Sequence, residues 1–235
     1  MQFNFSPINR YNSIKSVKDQ LVIQPGPDKN TRMEFSWIAA LGVWVGKHLV
    51  TNAQYKRFDP SHDNKITSGC AHTENLPVIY VSIDNAIRYS KWMSRHGSEE
   101  IPPDYTFRLP TEMEWESCAR CAPVSKPPWG DICPGFDNEN ELMRDAEFFH
   151  RAKHRHRNKW GIEASESGLW EWTQDLYDPT MNCRILRGAC WYGPIGGEKK
   201  TLYHHNQYPE RGYKNVGFRL VVGHPQTQWA EVKNK

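Results

Sequence analysis

Prolines and glycines, sixteen of each, are scattered through the 235 residues of this chain. Each proline removes a backbone donor and each glycine loosens the backbone, so long regular elements are interrupted and turns multiply. The elements left between them are short. Leu21-Val22-Ile23 reads as a strand closed by the turn Gln24-Pro25-Gly26-Pro27-Asp28. The apolar, β-branched stretch Phe35–Val50 predicts at least one buried strand, over Val43–Lys47. Ile185–Trp191 and Val216–Val222 alternate well enough to be strands, and Trp170–Trp172 opens a further apolar stretch.

Three helices have legible starts. Thr51-Asn52 offers an N-cap to a short helix with Ala53, Tyr55 and Phe58 on its apolar side, stopped by Asp59-Pro60. Ser82 caps a second, in which Ile83, Ala86, Ile87, Ser90 and Met93 recur at helical spacing before His96-Gly97 closes it. Thr111 and Glu114 have the spacing of a capping box, where each side chain satisfies an orphan backbone N–H. In that third helix Trp115, Cys118 and Ala119 would face the core.

From Cys121 to Trp160 the periodic signals fade into four prolines and the basic run His150–Lys159. This pattern predicts one compact α+β domain over residues 21–223, with a loop-rich insertion at 121–160. A peripheral segment at 1–20 would precede it and a tail at 224–235 would follow. Ten Trp, ten Tyr and nine Phe supply core bulk where apolar residues make up only 38% of the chain. The net charge of +3 is too balanced to suggest nucleic acid as a partner. No apolar run reaches the roughly 18–20 residues that span a bilayer, so no membrane contact is expected. The N-terminus has no signal-peptide pattern, and the expected compartment is the cytoplasm. Six cysteines form no dense framework and read as reduced thiols.

Seven stretches together resemble the formylglycine-generating-enzyme, or sulfatase-modifying-factor, family. They are VTNAQYKRF (50–58), LPVIYVSIDNAIRYSKWM (76–93), FRLPTEMEWESCAR (107–120), PWGD (128–131), GLWEWTQD (168–175), RILRGACW (184–191) and VGFRLVV (216–222). Their order and separations suit that family, and they cover about residues 20–222. The resemblance implies an irregular C-type-lectin-like fold: a small twisted antiparallel sheet, two or three helices and abundant loops. It also implies that Arg108 pairs with Glu112, that Trp115 packs, that Gly217 allows close backbone approach and that Phe218 fills the core.

Enzymes of this family hold copper with two cysteines between the RGGSW-like strand and the GFR strand, and a soft thiolate pair suits Cu(I). The matching interval here, Tyr192–Val216, contains no cysteine. Cys190, within RGACW, is a single thiol and cannot replace the pair. Another branch uses an H-x3-H-x-E iron site. His150 and His154 have that spacing, but His156 stands at the Glu position, and the run reads as a solvated basic loop. Cys118, Cys121 and Cys133 offer three zinc-type ligands with no evident fourth, and read as free thiols. The family tends to bind calcium through an Asn before its WEW motif. Gly168 stands there in this chain, so calcium remains an open cofactor, with Glu171 either a ligand or a structural hydrogen-bond acceptor. No catalytic residue is assigned.

The interval is instead crowded with contact-forming side chains: Trp191 and Tyr192 at its start, then Tyr203, His204, His205, Asn206, Tyr208, Arg211 and Tyr213. Tyrosine and arginine bring large contact area with a polar end, as in antibody paratopes. The pattern is similar to the variable proteins of diversity-generating retroelements, a non-catalytic branch whose typical ending is Pro-x-x-Arg-x-x-x-x-Gly-Phe-Arg. Pro209 and Gly217-Phe218-Arg219 keep that spacing, with Arg211 one position early. The expected function is a ligand- or protein-binding module whose loops at 192–215 take a protein or small molecule. One alternative is a metal-dependent oxidoreductase with an altered site, in which His204 and His205 serve as ligands or base. The other is a regulatory or structural subunit of a larger complex.

Overall fold

The computed structural model describes residues 19–63, 73–123, 157–163, 169–178, 183–188, 204–207, 211–213 and 216–225. Within them lie nine strands and three α-helices. The first strands, β1 (Gln20–Ile23), β2 (Met33–Ile38) and β3 (Val43–Gly46), run as antiparallel neighbours. The helix α1 (Asn52–Lys56) follows, then α2 (Ile83–His96), β4 (Thr106–Arg108) and α3 (Glu112–Arg120). The C-terminal half supplies β5 (Trp170–Asp178), β6 (Cys183–Gly188), β7 (His204–Gln207), β8 (Val216–Gly217) and β9 (Val221–Gly223).

These strands form two sheets where the sequence suggested one. The larger has the order β1-β2-β3-β9-β4 and is antiparallel throughout. The smaller has the order β7-β6-β5-β8; its β5–β8 pairing is parallel. The architecture is the small, helix-poor α+β arrangement that the family resemblance implies.

The helix starts are those expected. Thr51 and Thr111 each close a capping box, and Ser82 accepts a hydrogen bond from the N–H of Asn85. The side of α2 formed by Ile83, Ala86, Tyr89, Ser90 and Met93 is buried. Tyr89 meets Phe218 edge-to-face with ring centroids 5.6 Å apart, and Tyr55 of α1 lies 6.1 Å from the same ring. Phe218 is fully buried where the two helices meet the C-terminal segment. Gly217 is needed beside it, because a Cβ there would lie 3.0 Å from the Val78 carbonyl oxygen and from the Leu49 side chain.

Three expectations are corrected. Val216–Val222 is not one strand: β8 belongs to the smaller sheet and β9 to the larger, and residues 218–220 cross between them. Alternation misleads here because both ends and the crossing are buried on all sides. The interval 192–215 is not all loop, since β7 pairs with β6 inside it. Arg108 does not pair with Glu112. Its guanidinium makes a bidentate pair with Glu114, both contacts at 2.7 Å. Residues two apart on a helix point about 200° from one another, so Glu112 and Glu114 cannot both face β4. PWGD and most of the basic run lie outside the described residues.

Candidate functional site

The C-terminal surface is built on the β5–β6 pair. Trp170 and Trp172 of β5 are fully buried, and the Trp172 indole donates to the Val81 carbonyl at 2.9 Å. Against this wall sits the short segment 211–213. Tyr213 lies 6.2 Å from the Trp172 ring, and its carbonyl accepts from the Tyr80 N–H at 3.0 Å. Tyr80 holds a left-handed φ of 58°, which a non-glycine residue adopts only when its surroundings over-determine it. Gly212 passes so close that a Cβ would fall 2.1 Å from the Tyr80 carbonyl oxygen. This contact leaves no room for a side chain at position 212 unless the Tyr80 backbone shifts.

The nine expected contact residues are distributed accordingly. Arg211 is exposed and Tyr213 is half-buried against the core, three residues before β8. His204, His205 and Asn206 lie on β7, in register with Arg187, Leu186 and Ile185 of β6. Adjacent strand positions belong to opposite faces, so positions 204 and 205 do not share one side of the sheet. That placement argues against a two-histidine metal or acid–base site. Trp191, Tyr192, Tyr203 and Tyr208 lie outside the described residues.

Behind the surface is a set of buried charges. Arg219, in the crossing segment, contacts Glu171 of β5 at 2.5 and 2.7 Å. Burial alone would depress its pKa, but the Glu171 carboxylate overrides this and holds it above the usual arginine value. Both Glu171 oxygens are engaged by this guanidinium, which gives Glu171 the structural-acceptor role. Gly168 lies outside the described residues. Arg187 of β6 is fully buried over the Trp115 ring and meets Glu116 and Glu112 of α3. Burial lowers its pKa to about 10, opposed by Glu112. Glu112 is raised, first by burial and then by the Asp175 charge, with Arg187 pulling the other way. Asp175 is raised by burial while accepting from the Glu112 N–H at 2.6 Å.

Cys118 is buried, and burial pushes its thiol to about 12, which keeps it protonated and inert at neutral pH. Cys121 ends α3 in a left-handed conformation, and its thiol lies 3.8 Å from the Cys118 carbonyl. Both are free thiols; Cys133 lies outside the described residues. Among the described residues no group of three or more His, Cys, Asp or Glu side chains is placed to hold a metal ion, and no helix is long and apolar enough to cross a membrane.

Sequence reasoning missed Tyr80, Gly212 and Arg187. A left-handed tyrosine has no sequence signature. A glycine within a tyrosine-rich interval reads as a turn. A buried arginine cannot be told from a surface one until its partners on another element are known.

Comparison with known proteins fits this geometry. The mouse protein called inactive C-alpha-formylglycine-generating enzyme 2 is 28% identical over 179 residues, covering 68% of this chain and 54% of that protein. The formylglycine-generating enzyme of Streptomyces coelicolor is 25% identical over 177 residues, 63% of this chain and 52% of that one. The chain thus spans about half the length of these curated relatives. In fold it is similar to Treponema denticola variable protein 1, with a TM-score of 0.63 at 17% identity, over 89% of this chain and all of that one. The family model for the sulfatase-modifying factor enzyme 1-like domain matches residues 8–224. That match takes in β1 to β9 and all three helices, and the chain belongs to the sulfatase-modifying factor enzyme 1-like domain family.

Proposed function

We propose that this chain is a non-catalytic binding module that presents the Tyr-, His- and Arg-rich interval 192–215 to a protein or small-molecule ligand, as a variable protein of a diversity-generating retroelement does. The observation that carries this reading is the absence of any cysteine from Tyr192 to Val216, the interval in which the family enzymes hold copper. The fixed seat of Arg211–Tyr213 on Tyr80 and Trp172 supports it, because a binding surface needs rigid support beneath its contact residues. The mouse relative described as inactive and the fold similarity to a variable protein point the same way.

The test has two arms. Purified protein is loaded with Cu(I), desalted and incubated with a cysteine-containing peptide; no aldehyde should form. Stoichiometric copper retention together with conversion of the peptide cysteine to formylglycine overturns the reading. In the second arm the DNA flanking the gene is sequenced. A reverse transcriptase with a template repeat matching the codons of residues 191–219 is expected, and its absence removes the retroelement assignment while leaving the binding reading to the first arm.

A further inference from the structure

Between the entry to β2, the end of β3 and the start of α1 there is a half-open cleft of about 360 Å³. That volume is at the lower end of the roughly 300–1,000 Å³ range of small-molecule sites. Among the described residues, none of the interval 192–215 lines it.

Its charges balance. Two cations, Lys29 and Arg32, and two carboxylates, Glu34 and Glu163, line it together with the His48 ring. A lone anion or a lone cation would therefore meet repulsion as well as attraction. The opposite signs also stand side by side, since an Arg32 nitrogen lies 3.1 Å from a Glu34 oxygen at the half-exposed rim. A guanidinium has five N–H donors and a carboxylate about four lone-pair sites, so such a pair keeps capacity of both kinds for a ligand. Burial works to raise the Glu34 carboxyl, but Lys47, Arg32 and His48 hold its pKa below the usual carboxylate value, so it stays charged.

His48 adds an acceptor. Its Nδ1–H donates to Glu163 at 2.5 Å, which leaves the lone pair of Nε2 for a donor on the ligand. Glu163 is itself fixed from behind: its N–H donates to the Lys47 carbonyl at 2.8 Å, and its carbonyl accepts from Arg219 at 3.1 Å. The Arg32 backbone is held by Gln54, which donates to its carbonyl at 2.8 Å. Met33, Leu49 and Pro77 supply an apolar part of the wall. A preformed cleft with neighbouring donors and acceptors of opposite charge selects a molecule that carries both charges on neighbouring groups.

We infer that the cleft between β2, β3 and α1 binds a free α-amino acid with an apolar side chain. Its carboxylate meets Arg32 and Lys29, its ammonium donates to His48 Nε2 and the carboxylates, and its side chain lies on Leu49 and Pro77. This site is independent of the 192–215 surface, and its failure leaves the proposed function untouched.

Calorimetric titration of the whole chain with L-leucine and three analogues tests it. Isocaproate keeps the carboxylate and lacks the ammonium, isoamylamine keeps the ammonium and lacks the carboxylate, and glucose offers neutral hydroxyls. Leucine should bind saturably, each singly charged analogue should bind at least about tenfold more weakly, and glucose should not bind, since a contact to a charged group is worth about that factor. Arg32→Gln, at a rim side chain that is 52% exposed, should lower the leucine affinity by about tenfold. If that variant melts early, Lys29→Ala, at an exposed side chain, replaces it. No saturable leucine binding, an analogue or glucose binding as tightly as leucine, or equal leucine affinity in wild type and in the folded variant overturns the site.

Discussion

At the scale of single residues, position 212 shows how one missing Cβ fixes a surface. The Tyr80 carbonyl oxygen occupies the space a side chain would need, at 2.1 Å from an ideal Cβ. The backbone there cannot yield easily, because the Tyr80 N–H is bonded to the Tyr213 carbonyl. Gly212→Ala should therefore destabilise the fold by about 1–3 kcal/mol, the usual cost of forcing atoms into filled space. Arg211→Ala, at an exposed neighbour, should stay within about 0.5 kcal/mol. Urea unfolding of the two variants checks the contrast; equal midpoints would mean that the segment does not rest on Tyr80. Nothing in the local sequence announces this contact, because its two halves are more than 130 positions apart.

At the scale of elements, α3 shows which expectations a sequence can support. The T-x-x-E spacing of Thr111 and Glu114 predicts a capping box, and the box is present. The prediction works because both partners lie within one helical turn and need nothing from the rest of the chain. Arg108 defeated the same reasoning, since its choice between Glu112 and Glu114 depends on how α3 sits against β4. Glu114 now serves the cap and the Arg108 pair together, while Glu112 is left to Arg187 and Asp175. Thr111→Ala should cost about 0.5–2 kcal/mol, with Thr111→Ser close to wild type. The readout is the urea midpoint at constant m-value, which separates a lost cap from a changed denatured state.

For the whole molecule, the decisive feature is the passage of the chain from β8 to β9. It leaves the smaller sheet after Gly217 and joins the larger at Val221, and Arg219 sits midway. One guanidinium there reaches Glu171 in the smaller sheet, the Gly46 carbonyl in the larger, and the Glu163 carbonyl. Arg219→Ala would leave a buried carboxylate without its counter-charge, and breaking such a pair costs about 3–5 kcal/mol. Arg219→Met combined with Glu171→Leu removes both charges and should recover much of that loss. Unfolding followed by near-UV and far-UV signals should stay coincident in wild type. A double variant no more stable than Arg219→Ala would show that the pair is not what ties the sheets together.

By itself the sequence determined the short elements, the helix starts, the family and the missing cysteines. Each of these rests on residues close together in the chain, or on simple presence and absence. Only the tertiary structure decided that VGFRLVV spans two sheets, that HHNQ is a strand paired to β6, that Arg108 takes Glu114, and that Arg219 ties Glu171 to the Gly46 carbonyl. Those outcomes depend on burial and on charge pairs between distant segments, and such energies exist only once the chain has brought those segments together.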